Sequence, residues 1–148
     1  WKVMLELSQD VGHKLRVHEL KATGVQISIR GNDLFGKQYQ AKLSQSTQSP
    51  MILARKAREL FDLNYHWNTP VRAVCVRAIN LVPQGEPEQI DLFTDVAYLD
   101  RLNRLDLAIE EIRRRFGKRA VYSACLMGDL KMPGDGRCSV VMPGMMYR

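Results

Sequence analysis

Apolar positions recur along the chain with two spacings, and each spacing predicts a different element. Over residues 2–20 they come at every fourth position, which predicts a helix. Its apolar stripe consists of Val3, Leu7, Val11 and Leu15. Residues 24–30 and 37–43 alternate apolar with polar side chains, which predicts two strands. The turn residues Gly31-Asn32-Asp33 lie between them, so we expect a hairpin.

A second helix and a third strand follow the hairpin. Ser49-Pro50 is typical of a helix start, because Ser caps the first turn and Pro fits the first helical position. The predicted buried residues of this helix are Leu53, Ala57, Leu60 and Phe61. Residues 71–81 form the most apolar strand, with two distinct faces. Val74, Val76 and Ala78 share one face, and Ala73, Cys75 and Arg77 share the other.

The last third of the chain predicts one long helix and a possible strand. Apolar residues at steps of three and four place the helix at about 98–116, and residues 120–126 could form one more strand. Glu110 and Glu111 precede Arg114 and Arg115 by four residues, which predicts ion pairs within the helix. The order of elements predicts an α+β fold, a mainly antiparallel sheet with two helices on one face, plus this C-terminal helix.

Charge is unevenly distributed over the 148 residues, whose net charge is +6. Residues 1–82 hold 12 Lys and Arg against 6 Asp and Glu, and residues 83–111 hold 2 against 8. A basic body followed by an acidic segment favours a polyanionic partner, and an ordinary solvated surface is the alternative. No apolar run approaches the ~20 residues of a membrane span. Three distant cysteines favour a reducing cytoplasm over a disulfide or zinc framework.

The sequence contains no group of residues that supports catalysis. His13, His18 and His66 are scattered, and neither a nucleophile motif nor a glycine-rich phosphate loop accompanies them. We therefore expect neither a catalytic residue nor a bound metal or cofactor in this chain.

Three motifs together resemble a known family. The stretches SQDVGHKLR, PVRAVCVRAINLVP and RLDLAIEEIRRRFG occur in the order seen in the C-terminal part of bacterial Y-family (UmuC/DinB-like) lesion-bypass DNA polymerases. The similarity runs from about residue 2 to 126. It implies that residues 1–82 are a little-finger domain that grips the DNA duplex and lacks the family's usual first strand. It also implies that the catalytic carboxylates and their Mg²⁺ belong to a palm domain N-terminal to this region.

The resemblance implies which side chains bind DNA. Basic positions on the family's sheet contact the phosphate backbone, and the chain departs from the pattern at Tyr39-Gln40-Ala41, where many members have Arg-x-Arg. The residues that we expect to bind DNA are Arg30, Lys37, Lys42, Arg72 and Arg77.

A short motif interrupts the acidic segment that we expect to be a linker, residues 83–97. It resembles the pentapeptide by which bacterial polymerases hold the sliding clamp, with Leu and Phe entering an apolar pocket. Its residues are Gln89, Ile90, Asp91, Leu92 and Phe93. The alternative is that Leu92 and Phe93 pack onto the domain itself.

Two hypotheses about function follow. A third, that the chain is an independent enzyme, has no group of residues to support it. The first is a non-catalytic, DNA-binding and clamp-tethering part of a translesion polymerase, acting in damage tolerance and the SOS response at the bacterial nucleoid. The second is a stand-alone protein-interaction module. The resemblance implies that strand 71–81 lies beside the first strand, and residues 120–126 are expected to pair with the open edge of strand 71–81, within the chain or in a swapped dimer. Residues 98–148 then comprise a helix, this strand and an irregular tail.

Overall fold

The computed structural model describes residues 1–87 and 95–126. The helices are α1 (Lys2–Val17), α2 (Pro50–Asn64) and α3 (Val96–Phe116), and two short 3-10 turns follow at Lys118–Ala120 and Ala124–Leu126. The strands are β1 (Leu20–Gly31), β2 (Gly36–Thr47) and β3 (Val71–Pro83). No helix in these ranges has the length and apolar character of a membrane span. The predicted pentapeptide 89–93 and tail 127–148 lie outside the described residues.

The three strands form one antiparallel sheet in the order β2-β1-β3. Gln26 on β1 lies opposite Gln40 on β2 and opposite Arg77 on β3, so the first strand of the chain occupies the centre. The prediction that strand 71–81 pairs with the first strand is therefore confirmed. Each strand is longer than predicted, because pairing continues past the regular alternation to Thr47 and Pro83.

The core lies between this sheet and a layer formed by α1 and α2. Every second side chain of β1 is buried there, with Val25 and Ile27 at 0% exposure and Ile29 at 2%. Val76 of β3 joins them, and α2 contributes the residues expected from its sequence, Leu53, Ala57, Leu60 and Phe61. The predicted α+β fold, with two helices on one face of the sheet, is confirmed.

Helix α1 ends three residues earlier than predicted, at Val17 rather than residue 20. The backbone of Glu19 adopts the left-handed conformation with a φ of 53°, which a helix cannot continue. Leu20 then pairs with Pro83 as the first residue of β1. The pairing partner on β3 is more than sixty positions away, so the local spacing of apolar residues did not reveal it.

The buried side of α1 also differs from the predicted stripe. Val3 is 43% exposed, whereas Ser8 is completely buried and Gly12 is buried too. A Cβ atom on Gly12 would lie 2.8 Å from the carbonyl oxygen of Gln48 and 2.8 Å from Cγ of Pro50. Small side chains therefore let α1 approach the start of α2 closely, a contact that an apolar pattern does not mark.

Residues 120–126 do not form the strand that the sequence predicts. Arg113 donates a hydrogen bond of 2.9 Å to the carbonyl oxygen of Val121, and Leu126 is buried with Leu5 and Ala54 of the helical layer. These contacts hold the segment on the helical layer, away from the sheet edge. Within the described residues β3 pairs only with β1, and a second copy pairing with its other edge stays a prediction.

Helix α3 is held on α1 by polar contacts and has no buried residue of its own. Glu110 is paired with His13, and its other oxygen accepts hydrogen bonds from Arg16, the shorter being 2.8 Å. Arg113 donates to Oε1 of Gln9 at 2.8 Å. The contact between the two helices therefore depends on charge, while the apolar residues Leu105, Ile112 and Phe116 remain exposed.

The ion pairs expected inside α3 are formed by only one of its two adjacent glutamates. Glu111 bonds Arg115, as predicted, and also Arg114, which the spacing predicts to pair with Glu110. These bonds lower the pKa of Glu111 to about 2. Glu110 instead reaches across to α1. Burial by itself would raise the pKa of Glu110, but the hydrogen bonds from Arg16 and His13 outweigh burial and leave the pKa below its usual value.

Replacing Gly12 with Ala is expected to lower the free energy of unfolding by about 1–2 kcal/mol. Alanine normally favours a helix over glycine by up to ~1 kcal/mol, but overpacking a tight contact costs ~1–3 kcal/mol. Urea unfolding measures the difference. Gly85→Ala is the control, since its added Cβ meets no atom within 4 Å. A more stable Gly12→Ala protein would show that α1 and α2 do not meet this closely.

Replacing Glu110 with Gln is expected to weaken the attachment of α3 and to speed hydrogen exchange of its amides at neutral pH. Because the folded-state pKa of Glu110 is lowered, its stabilisation is complete above the usual carboxyl value of 4.5 and is lost as pH falls through the folded pKa. The difference between wild type and Glu110→Gln should therefore shrink in acid.

The neighbouring Glu111→Gln is the matched control, because its partners lie within α3 itself. Equal exchange rates in the two variants would contradict the attachment through Glu110.

Candidate nucleic-acid interface

The face of the sheet opposite α1 and α2 carries short and basic side chains. Along β1 the positions between the buried ones are Gly24, Gln26, Ser28 and Arg30. Residues directly opposite each other on paired strands share a face, so the register extends this set to both neighbours. The open face comprises Gln38, Gln40 and Lys42 from β2, and Ala73, Cys75, Arg77 and Ile79 from β3, in addition to the four from β1.

A row of hydrogen bonds crosses this open face. Arg77 donates from Nη1 to Oε1 of Gln26 at 3.2 Å, and Nε2 of Gln26 donates to Oε1 of Gln38 at 3.5 Å. The three side chains come from three different strands. The row fixes the guanidinium group of Arg77 above the centre of the sheet, and its other nitrogens make no hydrogen bond within residues 1–87 and 95–126. Neither Gln26 nor Gln38 is charged, so the prediction from basic side chains did not include them, although strand alternation places both on the open face.

Three of the five predicted DNA-binding residues share the open face. Arg77 lies level with Gln26, Lys42 lies level with Gly24, and Arg30 lies at the hairpin end. All three cations are exposed. None of the open-face positions given above holds an Asp or Glu. The face therefore has a positive potential that is not cancelled by carboxylates among its own side chains.

The other two predicted residues, Lys37 and Arg72, lie elsewhere. Lys37 is opposite Ile29, a core residue, so its side chain lies on the helical side of the sheet at the hairpin end. Arg72 falls at a register shift between the pairs Arg30–Ala73 and Gly31–Val71, on the outer edge of β3. Strand alternation alone could have separated Lys37 from Lys42, since they are five positions apart and an odd offset places two side chains on opposite faces.

Small residues separate the cations of the open face. Ser28, Ala73 and Cys75 have short side chains, and Ser28 lies directly opposite Cys75 in the register. A flat partner can therefore come close to the backbone between the cations. Arg30, Lys42 and Arg77 are long enough to reach past this floor. Such a surface suits a partner whose charges run along a continuous edge.

The chain on both sides of the predicted clamp-binding residues is anchored to the domain. After β3, the backbone amide of Gln84 donates to the carbonyl oxygen of Glu19 at 2.9 Å. At the start of α3, the hydroxyl of Tyr98 accepts a hydrogen bond of 3.1 Å from Nη1 of Arg55 on α2, and the carboxylate of Asp95 caps the helix. Gln89, Ile90, Asp91, Leu92 and Phe93 lie outside the described residues. The segment that contains them therefore connects two fixed points of the domain.

Metal ligands are not clustered in the part of the chain that the structure describes, where no group of three His, Cys, Asp or Glu could hold an ion. His13 is engaged with Glu110, as described above. The three exposed cations of the open face are groups that can bind an anion.

Comparison with known proteins gives a consistent assignment. Residues 1–92 match the family described as the impB/mucB/samB family C-terminal domain. DNA polymerase IV of Acetivibrio thermocellus is 38% identical over 123 residues, covering 83% of this chain and 31% of that protein. DNA polymerase IV of Desulfatibacillum aliphaticivorans is 28% identical, covering 88% and 33%. DNA polymerase IV 2 of Bacillus subtilis is 30% identical, covering 82% and 29%. The chain thus spans about a third of the length of these relatives.

Proposed function

The chain belongs to the impB/mucB/samB family of C-terminal domains, and we propose that it is the duplex-gripping domain of a translesion DNA polymerase. The observation that carries the proposal is the open face, on which Arg30, Lys42 and Arg77 stand without a carboxylate among the neighbouring open-face positions. The names of the relatives support a polymerase as the whole protein. Polymerisation, damage tolerance within the SOS response and a place at the bacterial nucleoid are parts of the same proposal.

The arrangement of the cations suits a DNA backbone. Six residues of β1 separate the levels of Lys42 and Arg30, which corresponds to ~20 Å along the strand. Double-stranded DNA carries one charge per ~1.7 Å of its axis, so this length faces many phosphates. Arg77, between the two levels, presents a planar guanidinium group that can bond two phosphate oxygens. Contacts of this kind position a duplex without reading its sequence.

Sequence-blind binding also follows from the glutamines. An unengaged Gln side chain on a surface can read an adenine edge by two hydrogen bonds. Gln26 is committed at both ends of its amide, to Arg77 and to Gln38. The centre of the open face therefore offers charge rather than base-specific hydrogen bonding.

The second element of the proposal is a tether to the sliding clamp through Gln89–Phe93. A short peptide that inserts Leu92 and Phe93 into an apolar pocket gains enough to hold a weak, exchangeable complex. Both ends of the connecting segment are anchored on the domain, so a clamp bound there stays close to the DNA-binding face. Once the clamp is bound, the effective concentration of DNA at the open face would be high, and the reverse would hold once DNA is bound. The two affinities would therefore reinforce each other.

A stand-alone protein-interaction module is the second candidate. The exposed side of α3 favours it, because Leu105, Ile112 and Phe116 are 54%, 39% and 75% exposed along one helix face. Exposed apolar residues at helical spacing are typical of a surface that binds another helix. Absence of DNA binding by the whole chain would favour this candidate over the polymerase domain.

The affinity for DNA is expected to depend steeply on salt and not on sequence. With three phosphate contacts the slope of log affinity against log salt concentration should be about −3, since each contact contributes ~0.9. Arg30→Ala and Arg77→Ala should each flatten the slope by ~1. Fluorescence anisotropy with a labelled duplex at several salt concentrations measures this slope.

Lys14→Ala is the matched control, because Lys14 is exposed on α1, on the other side of the sheet. It removes the same charge and should leave the slope unchanged. A slope that flattens equally in all three variants would show that net charge, rather than the open face, binds DNA.

Replacing Leu92 and Phe93 together with Ala is expected to lower clamp affinity at least ~10-fold. Thermal stability should stay within ~0.5 kcal/mol, as for surface positions. Surface plasmon resonance and thermal unfolding on one double variant measure both. The control is Leu105→Ala with Phe116→Ala, the same pair of residue types exposed on α3. If Leu92 and Phe93 pack onto the domain instead, stability should fall by ~3 kcal/mol with unchanged clamp binding.

A further inference from the structure

The turn between β1 and β2 presents two large apolar side chains to solvent. Leu34 is 61% exposed and Phe35 is 79% exposed. The turn is nevertheless well ordered by hydrogen bonds. The amide of Gly31 donates to the carbonyl oxygen of Phe35 at 3.1 Å, and the amide of Leu34 donates to the carbonyl oxygen of Gly31 at 3.1 Å. The amide of Phe35 donates to Oδ1 of Asp33 at 3.2 Å.

The backbone of this turn is strained at the residue before Phe35. Leu34 has a φ of 67°, in the left-handed region that Gly or Asn adopts at lower energy. Neither Leu34 nor Phe35 contributes to the core, so folding gains nothing from this choice of residues. Strain of this kind is concentrated at sites that contact a ligand. These features indicate that Phe35 contacts a ligand outside the domain.

A small cleft of about 180 Å³ lies beside Phe35, between the hairpin and the loop that joins α2 to β3. Tyr65 forms one wall, held by ring contacts with Phe61 and Trp67 at centroid distances of 5.0 and 5.6 Å. Lys37 also lines the cleft. Pockets for drug-sized ligands measure ~300–1,000 Å³, so this one admits at most a single planar ring system.

The polar groups around the cleft suit a nucleotide. The hydroxyl of Tyr65 is committed to the carbonyl oxygen of Thr69, and the carboxylate of Asp33 accepts from the backbone. His66 and Asn68 line the cleft with exposed side chains that make no hydrogen bond within residues 1–87 and 95–126. An exposed aromatic ring, a lysine and two uncommitted polar side chains are the groups that bind an unpaired base together with its phosphate.

The cleft lies on the helical side of the sheet, at the hairpin end, next to the last position of the open face. Arg30, the last cation on that face, lies opposite Gly36, and the next residue, Lys37, points to the helical side of the same hairpin. Consider a DNA strand that is bound by Arg30 and passes around the outer edge of β2. It would contact Lys37 and then Phe35. We propose that a DNA strand leaves the duplex at the hairpin, where Phe35 stacks on one of its unpaired bases and Lys37 binds the phosphate of the same nucleotide. This inference rests on the proposed function.

The experiment separates base stacking from phosphate binding. The whole 148-residue chain is titrated against three labelled DNAs. They are a blunt duplex, the same duplex with a short thymidine overhang, and the same duplex with an overhang of abasic sugar-phosphates. Both overhangs carry equal charge, so the ratio of their affinities reports the bases alone. Overhangs of either polarity are tested.

The wild-type chain is expected to bind the thymidine overhang about fivefold or more tightly than the abasic one, since aromatic stacking of one base contributes that much. Phe35→Ala should remove this difference. Lys37→Gln should weaken binding of both overhangs by the same factor, because it acts on phosphate. Phe116→Ala, which removes an equally exposed phenylalanine on α3, is the matched control and should keep the full difference.

Equal affinity for the two overhangs, with binding of the blunt duplex intact, would overturn this inference and leave the proposed function standing. The exposed turn would then be assigned to contact with a protein. A base preference that persists in Phe35→Ala would also overturn it. Absence of any duplex binding would instead overturn the proposed function itself.

Discussion

The burial of alternate side chains on the central strand is the contact on which the rest of the structure depends. Val25, Ile27 and Ile29 pack under both helices, and β1 is the only strand that pairs on both of its edges within the described residues. Because strand side chains alternate, burying this set forces the intervening residues onto the opposite face. A slip of one residue would place Arg30 in the core and three apolar residues in water. The alternation of side chains on β1 therefore determines both the packing of the core and the face on which the cations lie.

The two sides of the sheet consequently differ in how they hold their partners. The helical layer uses shape, and its tightest point is Gly12 against Gln48 and Pro50. The open face uses charge and small side chains, which leave room above the backbone. Helix α3 is held by charge, since it is attached through Glu110 to His13 and Arg16 while its apolar residues remain outward. Its attachment therefore depends on pH and salt in a way that the core does not.

Much of this arrangement could be predicted from periodic patterns. The strand order, helix α2 and the two faces of β3 followed from alternation, helical spacing and the family resemblance. Contacts without a local pattern could not be predicted. Gly12 gives no apolar signal, and the pairing of His13 with Glu110 joins residues 97 positions apart. The sequence predicts a strand for the mainly apolar segment 120–126, but Leu126 is buried against the helices instead. Lys37 could have been assigned to the helical side by counting residues from Lys42.

The central position of β1 has a consequence for the order in which the domain folds. Gln26 meets Gln38 across 12 residues but meets Arg77 across 51, so the two halves of the same row have very different loop-closure entropies. The local hairpin can form early, whereas the second edge of β1 stays unpaired until β3 arrives. Until then β3, the most apolar strand, and the unpaired edge of β1 are both exposed to solvent. The domain is therefore most vulnerable to aggregation before its third strand is added, and α1 and α2 are the elements able to shield β1 in the meantime.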